Sequence, residues 1–188
     1  LVQTRLADRL GVSQGIVREA LLRLEHEGFV TSIPYKGTFV TELDERALQE
    51  LFTLRIVLET FAIREALAHA EPAASDRLAE WVSHMHAAAD RGDLEALAAG
   101  DLGFHQTIVA LAGHALLLEI WSSIAPRIQL FMASKGRLYR NLHEVAETHR
   151  PLLEAMQRRD PQQAAQAIER HIVDAARMAI QNWRQESV

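Results

Sequence analysis

Asp101 and His105 stand four residues apart in a helix-forming stretch, so their side chains project from one face, one turn above the other. That face is otherwise apolar, with Leu94, Leu97, Ala98, Phe104, Ile108 and Ala112 flanking the pair at three-, four- or seven-residue offsets. A carboxylate and an imidazole turned toward a core need compensation, because an unpaired buried charge is costly. Two further histidines share apolar stripes: His149 with Leu142, Val145, Leu152, Leu153 and Met156, and His171 with Ala164, Ala167, Ile168, Ala175 and Met178. Each lies eleven residues from Asp160, the expected corner of a helical hairpin. Antiparallel helices would put both rings about 16 Å from that corner, at roughly 1.5 Å per residue. Three imidazoles and one carboxylate suit a first-row divalent ion such as zinc or nickel and leave room for water or a ligand. Calcium and magnesium, which take oxygen ligands, fit poorly. The competing reading makes each of these groups a hydrogen-bonded core residue.

A second set of polar residues lies near the amino terminus. Thr4 to Leu10 has apolar residues at helical spacing and stops at Gly11; Ser13 then offers an N-cap oxygen. Ile16, Val17, Ala20, Leu21 and Leu24 form a stripe of period 3.6 that Gly28 ends. The tight connection predicts a helix-turn-helix. Phe29–Ile33 and Thr38–Thr41 are rich in β-branched and aromatic residues and flank the turn residues Pro34, Tyr35, Lys36 and Gly37, which predicts a hairpin wing. A helix fits the DNA major groove when its first turns present polar side chains. Ser13, Gln14 and Arg18 occupy that position: Gln14 can read an adenine edge and Arg18 a guanine edge, while Thr4, Arg5 and Lys36 suit phosphates. The plainer alternative is a small helical hairpin with a solvated polar face.

The elements that must hold these residues follow from composition. Of 188 residues, 48% are hydrophobic and 24% charged, enough to bury a core and unlike a disordered chain. Every apolar run is interrupted well before the roughly 18 residues of a membrane span, so no membrane partner is expected. The absence of cysteine excludes disulfides, thiolate zinc sites and cysteine nucleophiles, and fits a cytoplasmic protein. The net charge of −5 is unevenly placed: residues 1–43 balance five basic against five acidic groups, and the acidic excess lies after Leu43. From there Ala, Leu, Glu, Arg and Gln dominate, predicting an all-helical unit with helices at about 45–70, 73–91, 94–112, 115–135, 138–158 and 161–185. Pro126 and Pro151 fall inside two of these and should kink them or move their boundaries. The expected organisation is a winged helix-turn-helix over 1–43 and an antiparallel six-helix bundle over 44–188. Because Leu1 opens inside an amphipathic pattern, residues are expected before it.

Leu6-Ala7-Asp8-Arg9-Leu10-Gly11-Val12-Ser13, then Val17-Arg18-Glu19-Ala20-Leu21, Leu24-Glu25-His26-Glu27-Gly28-Phe29-Val30 and the wing Gly37-Thr38-Phe39-Val40, resemble the GntR family of bacterial winged-helix repressors. That resemblance implies Arg18 as the principal base-contacting arginine and a wing tip, Lys36, Gly37 and Thr38, at the DNA. It also implies a winged-helix first helix lying before Leu1. Gly15-Ile16 stands where Thr-Pro is common, and Tyr35 where the wing often has glycine. The helical part resembles the FCD ligand-binding domain of FadR-type regulators, in its shorter VanR-like branch. The matching segments are Arg55-Ile56-Val57-Leu58-Glu59, Asp101 to His105, Glu147-Thr148-His149-Arg150 and His171. In metal-binding members an aspartate, the histidine four later and two more histidines are the ligands, which map onto Asp101, His105, His149 and His171. His114 stands where asparagine often follows the glycine.

These readings combine into a homodimeric repressor that binds double-stranded operator DNA and responds to a small organic or sugar acid at the metal. Arg55 and Arg127 are candidates to pair with the acid, although Arg55 could instead bridge to Glu59. His69, His84, His86 and His143 read as surface residues, and Trp81, Trp121 and Trp183 as core or dimer-interface aromatics. Two other readings compete: a metal-free acyl-CoA or lipid-responsive regulator, and a metal-dependent hydrolase or lyase.

Overall fold

A computed structural model of the chain describes residues 1–41, 44–69, 74–134 and 141–186. Its contacts divide it into two compact units, Leu1–Leu43 and Asp44–Val188. In the first unit, α1 (Gln3–Leu10) ends where Gly11 takes a left-handed φ of 65° and returns its N–H to Ala7. Ser13 then caps α2 (Gln14–His26), its side chain accepting from the Ile16 N–H at 3.4 Å. Strands β1 (Val30–Ile33) and β2 (Gly37–Val40) pair antiparallel with Val30 opposite Val40, forming the wing. Tyr35, at its tip, has a φ of 64°, a conformation that favours glycine and costs a side-chain-bearing residue about 1–2 kcal/mol.

The α2 stripe is narrower than its periodicity predicts. Val17 and Leu21 are buried with Ala7, whereas Ile16 and Leu24 are 56% and 37% exposed. The buried cluster that α2 joins is a single seam with α1, apart from the buried Val30 of β1, and one seam can cover only one edge of an apolar stripe.

The second unit is all helix among its described residues: α3 (Glu45–His69), α4 (Ala74–Arg91), α5 (Leu94–Leu111), α6 (Ala115–Ser134), α7 (His143–Glu147), α8 (Arg150–Arg158) and α9 (Pro161–Glu186). Side-chain caps start several of them: Asp44 Oδ1 accepts from Ala47, Asp93 Oδ1 from Ala96 and Asp160 Oδ1 from Gln163. α3 packs along α9 and against α5, and α4 against α5. Trp121, Phe104, Ile63, Leu78 and Ile168 form the centre of the core, all under 2% exposed.

α6 runs through Pro126 as one helix, but the helix expected over 138–158 is two. Pro151 stands in the first turn of α8, where its missing N–H is harmless; continued into α7, the ladder would lack that donor. The chain therefore makes a tight turn at Thr148 and His149, with the His149 N–H bonded to the Ala146 carbonyl at 3.1 Å. Residues 138–140 of that expectation, Pro72, Gly136, Leu43 and the Trp183 side chain lie outside the described residues.

Candidate functional site

Asp101 and His105 come from the buried face of α5, His149 from the turn between α7 and α8, and His171 from α9. The structure brings all four together: one potential ligand atom from each lies within 4.8 Å of every other. His105 Nε2 is 3.2 Å from His171 Nε2, and His149 Nε2 is 3.3 Å from Asp101 Oδ1. His105 and His149 are wholly buried, Asp101 nearly so, and His171 partly.

The atoms behind the rings decide which nitrogens face inward. His105 Nδ1 lies 2.6 Å from Glu59 Oε2, so its N–H donates outward to the carboxylate and its Nε2 presents a lone pair. His149 Nδ1 lies 2.8 Å from the Val145 carbonyl, which can only accept, so Nε2 is again the bare nitrogen. Two features of this arrangement suit a cation. The Nε2 of His149 is buried with no hydrogen-bond partner, because its approach to Asp101 lacks hydrogen-bond geometry. The paired Nε2 atoms of His105 and His171 are separated by about the distance of two imidazole ligands on one ion, roughly 3.3 Å for bonds near 2.05 Å at a tetrahedral angle. An N₃O donor set of neutral imidazoles and one carboxylate fits a borderline transition metal.

Electrostatics sets the charge of the two carboxylates and of His171. Burial alone would raise the Asp101 carboxyl, but His149, His105 and Arg55 outweigh it and hold the group well below the usual carboxylate range. Burial, reinforced by His149 and His105, pushes His171 well below the ordinary imidazole value and so keeps it neutral. Glu59 behaves as Asp101 does: burial is outweighed by Arg55 and His105, and the carboxyl stays ionised.

Glu59 is the residue that sequence reasoning saw only as a partner for Arg55. Its Oε1 accepts from Arg55 Nε and from Trp121 Nε1, both at 2.9 Å, while Oε2 holds His105. Arg55 is thus in the salt bridge weighed against its effector role, 4% exposed, on the same helix as Glu59. Arg127 is exposed on α6. Trp121 is a core residue; Trp81 is half-buried and donates to Thr107 Oγ1 at 2.9 Å. His114 Nδ1 accepts from the Leu117 N–H at 3.2 Å, capping the start of α6. A cavity of about 330 Å³ reaches His171 from outside, lined also by Thr148, Pro151, Leu152, Arg170, Asp174 and Met178.

In the first unit Gln14, Arg18, Thr4, Arg5, Lys36 and Gly37 are all exposed. Ser13 is exposed too, with its hydroxyl used as the α2 cap. Thr38 is 7% exposed, with its hydroxyl 3.2 Å from that of Ser32 across the hairpin.

Residues 1–40 match the family of bacterial regulatory proteins called gntR, and residues 50–174 match the FCD domain. The chain is a GntR-family regulator with an FCD domain. It is similar to the protein named "Probable D-xylose utilization operon transcriptional repressor" of Paenarthrobacter nicotinovorans, 31% identical over 170 residues, covering 90% of this chain and 74% of that protein. The gluconate operon transcriptional repressor of Bacillus licheniformis is 27% identical over 166 residues, 85% of this chain and 68% of the relative. Among solved structures, McbR/YncC of E. coli superposes with a TM-score of 0.81 over 97% of this chain and 87% of that one, at 24% identity, which shows a shared fold. The family is one of transcriptional regulators, not enzymes, which sets aside the hydrolase or lyase reading. Among the described residues, no helix is long and apolar enough to cross a membrane.

Proposed function

We propose that this regulator is a metal-dependent, acid-responsive repressor of the cytoplasm. The first unit binds double-stranded operator DNA through Gln14 and Arg18 at base edges, with Thr4, Arg5, Lys36 and Gly37 at the backbone. Asp101, His105, His149 and His171 hold a zinc or nickel ion. When bound, the metal supplies a Lewis-acidic point of attachment for an anionic ligand. Glu59 and the Val145 carbonyl fix the ring orientations, and the cavity beside His171 admits a small organic or sugar acid. Relatives named for gluconate and D-xylose operons support an effector of sugar or sugar-acid size.

The observation that carries this reading is the buried, unpartnered Nε2 of His149 within a cluster of four convergent ligand atoms. An unsatisfied buried nitrogen costs on the order of 1–3 kcal/mol, which a ligated ion would recover. A polar buried cluster also favours the metal-and-acid reading over a metal-free acyl-CoA or lipid pocket. Homodimerisation is supported by exposed apolar side chains along α3 and α6: Leu54, Val57 and Phe61 on one, Leu116 and Ile120 on the other.

The test is a melting-temperature screen of chelator-stripped protein against organic and sugar acids, with and without Zn(II) or Ni(II). An acid that raises the melting temperature only when metal is present, and that releases DNA selected by the protein from a random duplex library, supports the reading. Acids that act equally without metal, or through a His171→Ala variant, overturn it.

A further inference from the structure

Four residues outside the central cluster form a reciprocal arrangement between α4 and α7. His86 and Asp90 are one turn apart on α4, and His143 and Glu147 are one turn apart on α7. The two rings face each other through Nδ1, 3.2 Å apart. Behind them the carboxylates are crossed: His86 Nε2 lies 3.4 Å from Glu147 Oε1, and His143 Nε2 lies 3.4 Å from Asp90 Oδ1.

Each carboxylate can only accept, and at ion-pair distance each favours a ring N–H on the Nε2 side without forming a full hydrogen bond. The Nδ1–Nδ1 contact has hydrogen-bond geometry when one ring carries its proton there; with both protons on Nε2, two lone pairs converge and a cation can take the place of that shared proton. The separation again matches two imidazoles on one ion, about 3.3 Å at a tetrahedral angle. Carboxylates behind ligating histidines are the usual outer partners of a metal-bound imidazole. The side chains of His86 and His143 are 34% and 42% exposed, so solvent can fill the remaining coordination positions. Arg150 also contacts Glu147, at 3.1 Å, so that carboxylate carries two cationic partners.

We propose that His86 and His143 form a second, peripheral site for a divalent transition ion such as Zn(II), ligated through both Nδ1 atoms with Asp90 and Glu147 holding the rings from behind. Such an ion ties α7 to α4. α7 also carries the Val145 carbonyl that orients His149, so the peripheral ion braces the wall of the central cluster.

The experiment is a Zn(II) titration of the chelator-stripped full chain, followed by calorimetry and by the ring ¹⁵N shifts of the histidines. Two equivalents per chain are expected, the weaker one moving the Nδ1 signals of His86 and His143. His86→Ala and His143→Ala should each abolish the weaker equivalent and keep the tighter. Asp90→Asn and Glu147→Gln should weaken it about 10-fold or more. His149→Ala should remove the tighter equivalent alone, so failure of the central site is distinguishable from failure of this one. A second equivalent that survives both histidine variants overturns the proposal. So does a wild-type titration in which the two Nδ1 signals do not respond to zinc, the result expected if the rings merely share a proton.

Discussion

Glu59 Oε2 and His105 Nδ1 are 2.6 Å apart across the α3–α5 interface, and this contact sets which nitrogen of His105 faces the centre of the helical unit. One carboxylate receives three donors, from Arg55, Trp121 and His105, so α3, α5 and α6 are joined at a single buried residue. Removing such a hub affects both the fold and the ligand set.

Glu59→Gln should show both effects, each in its own measurement. An amide must place its oxygen toward Arg55 and Trp121, which only donate, and its NH₂ then faces His105. The ring is driven to the tautomer with N–H on Nε2, which cannot ligate from that atom. The expected result is a 10- to 100-fold loss of Zn(II) affinity, read by competition with a chromophoric chelator. Loss of one partner from the buried Arg55 pair also lowers stability by about 3–5 kcal/mol. Zinc affinity within a factor of two of wild type would mean that Glu59 does not orient a ligand.

His149→Leu should cost less stability than Glu59→Gln. The substitution deletes a buried nitrogen that lacks a partner, and the Val145 carbonyl keeps the Thr148 hydroxyl at 2.7 Å. The same substitution takes away the ring beside the buried Asp101 carboxylate, so the metal-free variant should melt slightly below the wild type, while the rise in melting temperature on adding Zn(II) disappears. Differential scanning fluorimetry with and without zinc checks both halves. A zinc-dependent rise equal to that of the wild type would remove His149 from the ligand set.

The contrast between these two residues shows what the sequence made legible. Spacing put Asp101 and His105 on one face, and counting from Asp160 put His149 and His171 at one depth; both depend on helical periodicity, which is a local property. His149 still meets His171, ring centroids 4.4 Å apart, although the helix expected around it is divided just before Pro151. What periodicity could not show was Glu59 beneath His105, forty-six residues away. Nor could it show the crossed pairing of His86 with Glu147 and His143 with Asp90, which requires knowing that α4 meets α7. In the first unit the exposed polar residues of α2 were readable from the stripe they avoid, whereas the burial of Thr38 depends on the hairpin register that sets it opposite Ser32.

Two glycines of α5 test how closely the helices approach. A Cβ on Gly103 would lie 2.7 Å from ring atoms of Trp81, and one on Gly100 would lie 2.8 Å from Met85 Cγ. The clearances are alike but the neighbours are not. The indole is rigid and held by its bond to Thr107, whereas Met85, though wholly buried, is unbranched and can adjust its torsions within the core. Gly103→Ala should cost about 1–3 kcal/mol and shift Trp81 fluorescence to the red; Gly100→Ala should cost less. Urea denaturation of both variants decides the order, and equal losses would show that the Trp81 contact is soft.

Arg18 and Lys36 are both exposed cations of the first unit, but they are expected to act differently on DNA. Arg18 lies in the early turns of α2, beyond the Ser13 cap, where a guanidinium can bond a guanine edge bidentately. Lys36 lies in the wing turn, where an ammonium suits a phosphate. Arg18→Ala should therefore cost about 1–3 kcal/mol on selected operator DNA and much less on random duplex, flattening the preference at one base position. Lys36→Ala should weaken both duplexes alike and reduce the slope of log K against log salt by about 1. Fluorescence anisotropy on the two duplexes at several salt concentrations separates these outcomes. If Arg18→Ala weakened both duplexes equally, Arg18 would be a backbone contact and base reading would fall to Gln14 and its neighbours.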